Sequence, residues 1–143
     1  LIDNTRTPFT DIAKRLLISA GTVHVRVKKM EEAGLIKGSS LTLDYNKMGY
    51  SFIAYVGIYL EKTHQTKYVL ERLKEIPYVT VAHITTGKFN IYCKVRAKTT
   101  EHAKEIIFKI DDIDGILRTE TMISLEESIN DKKRLMHTIF NDL

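Results

Sequence analysis

The stretch Ile18-Ser-Ala-Gly-Thr-Val-His-Val-Arg-Val-Lys-Lys-Met-Glu-Glu-Ala-Gly-Leu-Ile36 decides how the first quarter of the chain is read. Ser19 stands where an N-cap belongs, and Gly34 where a left-handed residue ends a helix. Between them Val23, Val27 and Met30 recur at i, i+4 and i+7, so one stripe faces a core. Gly21, Thr22, His24, Val25, Arg26, Lys28 and Lys29 lie off that stripe. The helix therefore opens with small residues and carries its cations on a wet side. Small residues let a helix end press into a groove about 12 Å wide, and its unpaired N–H groups favour phosphate. Lys28 and Lys29 are placed to neutralise phosphates, and Thr22, His24 and Val25 to meet base edges. For Arg26 two readings stand side by side: a phosphate contact, or a tie to an acidic side chain of its own domain. An amphipathic helix with a solvated basic side is the plain alternative.

Working outward, "TPFTDIAKRLLI" (7–18) predicts a shorter helix before it, with Thr7 as N-cap, Pro8 at the first helical position and Phe9, Ile12, Ala13 and Leu16 at helical spacing. Two short helices and a tight turn, the second helix basic, make a helix-turn-helix signal. In "GLIKGSSLTLDYNKMG" (34–49) Leu35 and Ile36 close the small core, Gly38-Ser39-Ser40 turns, and "LTLDY" alternates as a short wing strand. Lys37 is a further candidate phosphate contact.

From Ser51 the period changes. "SFIAYVGIYLE" reads as a strand, "HQTKYVLERLKEI" as a helix with Val69, Leu73 and Ile76 inward, and "YVTVAHITTG" and "KFNIYCKVRA" as two strands around Gly87-Lys88. "TTEHAKEIIFKIDDI" is a helix capped by Thr99 with Ala103, Ile106, Ile107 and Ile110 inward, and "GILRTETMISLEE" a last strand. The order βαββαβ predicts a ferredoxin-like unit. The fold class expected is thus α+β: residues 1–38 a helix-turn-helix domain, 39–49 wing strand and hinge, 50–128 the βαββαβ domain, and 129–143 a terminal helix with Leu135, Ile139 and Leu143 apolar. In such a unit both helices cover one sheet face. Ile53, Tyr55 and Tyr59 fall on the other, so that face is expected to meet a second copy of the chain. Tyr55, Tyr59 and Tyr92 also suit a base-stacking platform, but the cations lie in the other domain.

Composition agrees. The chain has 143 residues, 43 % hydrophobic and 28 % charged, as soluble globular proteins do. Its apolar runs are too short to span a bilayer. A single cysteine, Cys93, excludes an internal disulfide framework and fits a reducing cytoplasm. Five histidines form no metal-ligand spacing, so no metal or other cofactor is expected. Residues 1–38 hold seven Lys or Arg against four Asp or Glu, a net +3 of the whole chain's +4. A compact basic segment is the footprint of a nucleic-acid binder.

Together, "DIAKRLLISAGTVHVRVKKMEEAGLIKGSSLTLDYNKMGY" (11–50) and "AHITTGKFNIYCKV…ILRTETMISLEE" (82–95 and 116–127) resemble the Lrp/AsnC, or feast/famine, family of transcription regulators, asparagine- and leucine-responsive members above all. The resemblance implies a double-stranded DNA partner and a regulator rather than an enzyme. It implies a further helix before Leu1-Ile2, dimers formed through the βαββαβ domain, and octamers built from dimers. It implies a small amino-acid-like effector near Thr86, Gly87, Phe89 and Asn90, with Thr119, Glu120 and Thr121 opposite. Asn90 departs from the Asp of many relatives, and an amide cannot hold an ammonium by charge. The loop also reads as a plain hairpin turn that needs Gly87. A sirohaem-decarboxylase-like enzyme on the same architecture is the alternative, seeded by His83 and Arg118 on neighbouring strands; no nucleophile–base or carboxylate pair accompanies them. A stand-alone amino-acid sensor is a third reading, against which the helix-turn-helix argues.

Overall fold

A computed structural model describes residues 1–142. The chain divides into two compact units: residues 1–42 with 129–143, and residues 43–128. In the first unit α1 (Phe9–Leu16) and α2 (Ala20–Glu32) form the helix-turn-helix. The α2 cap is as expected: the Ser19 hydroxyl oxygen accepts the Thr22 N–H at 3.1 Å. The α1 cap is not. Pro8 itself holds the cap position with extended backbone, and the Thr7 hydroxyl donates instead to the Asn4 carbonyl at 2.8 Å. Gly34 has a φ of +74°, the left-handed stop that the sequence suggested. Ala13 and Val23 are the buried side chains of this helix pair.

The wing strand does not form. Residues 36–44 are irregular, and Leu41 is 80 % exposed. Only Ile36 and Lys37 separate Leu35 from the Gly38 turn, which leaves no partner strand of useful length, and an isolated two-stranded ribbon is marginal in water. The terminal helix α5 is shorter than read, Lys133–Asn141, and joins the first unit: the His137 Nε2 lies 2.9 Å from an Asp3 carboxylate oxygen. Its apolar positions Leu135 and Ile139 are exposed, and Leu143 lies outside the described residues.

The second unit is the expected βαββαβ: β1 (Phe52–Leu60), α3 (Thr66–Leu73) after a short 3-10 turn, β2 (Val79–Ile84), β3 (Ile91–Ala97), α4 (Thr100–Asp111) and β4 (Ile116–Ile123). The antiparallel sheet runs β2-β3-β1-β4. Side chains alternate across it. Val56, Ile58, Leu60, Ile91, Cys93 and Val95 face Val69, Leu73, Ala103, Ile106 and Ile110 of the helices in one core. Burial raises the Cys93 thiol pKa to about 11, as suits an inert small core residue. Thr99 caps α4, its hydroxyl oxygen accepting the His102 N–H at 3.1 Å.

Candidate nucleic-acid interface and effector loop

Ser19, Gly21, Thr22, Val25, Arg26 and Lys29 line one shallow concavity on α2. Thr22, Val25, Arg26 and Lys29 are spaced i, i+3, i+4 and i+7, so they share one outward face. Val25 is 50 % exposed there, an apolar group suited to a thymine methyl. Arg26 faces the same concavity and has no acidic partner among the described residues. Ser19 is spent on the cap, its oxygen 2.8 Å from the Thr22 hydroxyl. His24 stands apart, its ring centroid 6.0 Å from that of Phe9 in α1, so it also serves helix packing. Lys28 lies one turn beyond His24, exposed, and Lys37 is exposed on the irregular segment after α2.

In the second unit residues 85–90 join β2 to β3. Gly87 has a φ of +88°, a conformation that other residues adopt at a cost, and the exposed Thr86 precedes it. The Thr85 hydroxyl donates to the Phe89 carbonyl at 2.9 Å. Asn90, read as a ligand group, is engaged internally: its N–H donates to the Ile58 carbonyl and its Oδ1 accepts the Leu60 N–H, both at 2.9 Å. An Asp would accept the same bond, so the amide keeps the strand end and removes only charge.

The Phe89 ring lies on β1 at Gly57, where an added Cβ would stand 2.3 Å from a ring carbon. Tyr59 meets the same ring edge-on at 5.2 Å, and Tyr92 lies 5.9 Å away. The sequence reading missed Gly57 as the seat of this ring; a glycine inside an otherwise bulky strand was the available signal. Glu120, opposite Gly57 in the register, holds three donors: Lys88 Nζ at 3.1 Å, the Tyr59 hydroxyl at 3.2 Å and Arg118 Nη1 at 3.4 Å. Hydrogen bonding from Lys88 lowers the Glu120 pKa, and the reciprocal bond raises that of Lys88. Glu120 is thus already matched by cations.

The expectation that Thr119, Glu120 and Thr121 close together over the loop is not met. Thr119 pairs with Ile58 and Thr121 with Val56, so both lie on the helix side of the sheet, with Glu120 on the other. Thr119 donates its hydroxyl to Asp111 at the end of α4, at 2.7 Å. Of the three open-face residues, Ile53 is only 7 % exposed and lines a recess with Asn46, Ser51, Ser124, Leu125 and Glu126, so its burial needs no second copy. Tyr55 stacks on Tyr92 at 5.8 Å, and the Arg118 guanidinium lies 4.1 Å from the centre of the Tyr59 ring. Both rings stay half-buried. His83 and Arg118 fall on β2 and β4, opposite edges rather than neighbouring strands, and do not converge.

Residues 1–37 match the winged helix-turn-helix DNA-binding family model, and residues 53–133 match the Lrp/AsnC ligand binding domain. The chain belongs to the Lrp/AsnC family of transcriptional regulators. The regulatory protein AsnC of Haemophilus influenzae is 37 % identical over 130 residues, 90 % of this chain and 87 % of that protein. The solved structure of Escherichia coli AsnC superposes with a TM-score of 0.90 at 34 % identity, covering 92 % of this chain and 89 % of that one. A Mycobacterium tuberculosis feast or famine regulatory protein, solved with L-methionine, superposes with a TM-score of 0.82 at 23 % identity over 92 % of this chain and 89 % of its own, a likeness of fold. The family pairs a DNA-binding helix-turn-helix with a domain for a small effector, and its named relatives are regulators, not enzymes. No helix among the described residues is long and apolar enough to cross a membrane.

Proposed function

We propose that this Lrp/AsnC regulator works in the cytoplasm as a homodimer that sets two α2 helices in successive major grooves, roughly 34 Å apart. The observation that carries the reading is the outward face of Gly21, Thr22, Val25, Arg26 and Lys29: small at the helix start, apolar in the middle, cationic beyond. Thr22 and Val25 read base edges, Arg26, Lys28, Lys29 and Lys37 hold phosphates, and His24 orients the helix against Phe9 while reaching the groove edge. Dimerisation uses the open sheet face around Tyr55 and Tyr59, whose rings remain half-buried, and dimers associate further into octamers.

The effector is a small amino-acid-like molecule bound at the loop of Thr86, Gly87, Phe89 and Asn90, with Glu120 as its anionic side. Thr119 and Thr121 support the same strand from the helix side. The backbone N–H groups near Gly87 suit a carboxylate, and an incoming ammonium displaces Lys88 from Glu120. Binding biases assembly or DNA affinity by roughly 1–3 kcal/mol, the usual scale of coupling between sites. Genomic footprinting with and without each of the twenty amino acids tests this. Protection of paired sites one helical turn apart, altered by at least one amino acid, is expected; unpaired, effector-indifferent protection contradicts it.

A further inference from the structure

The chain crosses between its two units twice, near residues 42–43 and 128–129. The segments that leave the βαββαβ unit at these points both touch one side chain, Arg96 of β3. Its Nη1 donates to the Tyr50 carbonyl at 2.9 Å, and its guanidinium lies 5.2 Å from the centre of the Tyr45 ring. Its Nη2 is 4.0 Å from the Glu127 carboxylate, which Lys94 also binds at 2.9 Å. The Arg96 side chain is 13 % exposed. Tyr45 and Tyr50 bracket the compact turn of the incoming segment, closed by the Tyr50 N–H donating to the Tyr45 carbonyl at 2.8 Å. Glu127 belongs to the outgoing segment.

We infer that Arg96 is a positioning residue: it clamps both tethers of the DNA-binding unit to β3 and so fixes the spacing at which paired recognition helices meet DNA. A planar guanidinium can stack on a ring, donate to a carbonyl and face a carboxylate at once. An ammonium has no flat face to stack and no fork, so lysine does not replace it. β3 starts at Ile91, directly after the effector loop, so the strand that leaves the loop carries the clamp. The spacing claim rests on the proposed two-site dimer; the clamp itself does not.

The test uses the full chain, wild type and Arg96→Met, Arg96→Lys and Tyr45→Leu. Trypsin cleavage at Lys47, inside the incoming turn, reads release of the tether without DNA. The second reading is binding to an operator selected by the wild type from random duplex, with and without about five base pairs, half a helical turn, inserted between half-sites. Arg96→Met and Arg96→Lys are expected to speed cleavage about tenfold by raising the open population. They also cut the wild type's penalty for the insertion to about threefold or less, with half-site affinity unchanged, as a slack tether does. Tyr45→Leu moves both readings the same way by less, and decides the matter if the Arg96 variants fail to fold. Unchanged cleavage and unchanged spacing penalty overturn the clamp. If the wild type itself shows no spacing preference, the two-site reading is at fault, and cleavage alone decides the clamp.

Discussion

The two units are stabilised on different scales. The βαββαβ unit seals Ile58, Leu73, Ile91, Ile106 and Ile110 in one core, each with almost no exposed surface. Among its described residues the helix-turn-helix unit buries only Ala13 and Val23, while Leu16, Leu17, Leu35 and Phe140 stand about half exposed or more. Apolar burial stabilises by roughly 25 cal/mol per Å², so the βαββαβ unit folds on its own account and the helix-turn-helix unit depends on further contacts. The recognition surface is thus carried on the weaker body, where order can be supplied by DNA or by other chains.

The largest effect that tests this contrast is Ile106→Ala, expected to cost about 2–5 kcal/mol. Val23→Ala is expected to cost about 1–2 kcal/mol, from two carbons at about 0.8 each. Hydrogen exchange resolved by segment separates the two; equal losses break the contrast. Next, Gly57→Ala drives a methyl into the Phe89 ring and is expected to cost about 1–3 kcal/mol by overpacking, as thermal unfolding reads. It should displace the effector loop, seen as loss of amino-acid binding in calorimetry. Leu17→Gly works in the opposite direction. Leu17 has a φ of 56° and is 91 % exposed, so glycine relieves backbone strain and loses no packing. A gain of about 1 kcal/mol for the helix-turn-helix unit is expected from its unfolding midpoint. An unchanged midpoint means that the αL turn is not a weak point of that unit.

The smallest effect on stability is at the exposed Lys88–Glu120 pair. Lys88→Ala leaves Glu120 with Tyr59 and Arg118 and is expected to tighten binding of an ammonium-bearing effector a few-fold, since exposed pairs are weak. Glu120 has a depressed folded pKa, so its contribution is present above its ordinary 4.5 and is lost as pH falls through the lower folded value. Lys88 has a raised one, so its contribution is present below its ordinary 10.5 and is lost as pH rises through the higher folded value. The pair should therefore be indifferent to pH between about 5 and 10. A carboxylate NMR titration of Glu120 centred above 4.5 contradicts it.

Legibility followed the same division. The βαββαβ order, the Thr99 and Ser19 caps and the inward faces of α3 and α4 were readable because period and capping are local properties. The wing strand was not, because "LTLDY" alternates like a strand but a strand needs a partner that no local pattern supplies. Thr119 and Thr121 were misplaced because sequence proximity to Glu120 hides the alternation across β4, which only the register with β1 reveals. Gly57 and Arg96 were passed over because their meaning lies in distant partners, Phe89 and the two tethers.

The central claim is that the outward face of α2 grips DNA. The most direct measurement is the salt dependence of binding to a wild-type-selected operator, for the wild type and for Arg26→Ala with Lys29→Ala. Each lost phosphate contact lowers the slope of log affinity against log salt by about one unit per recognition helix. A slope flatter by about two units for each helix engaged, with weaker binding at low salt, is the predicted result. An identical slope and affinity for the double variant would contradict the account.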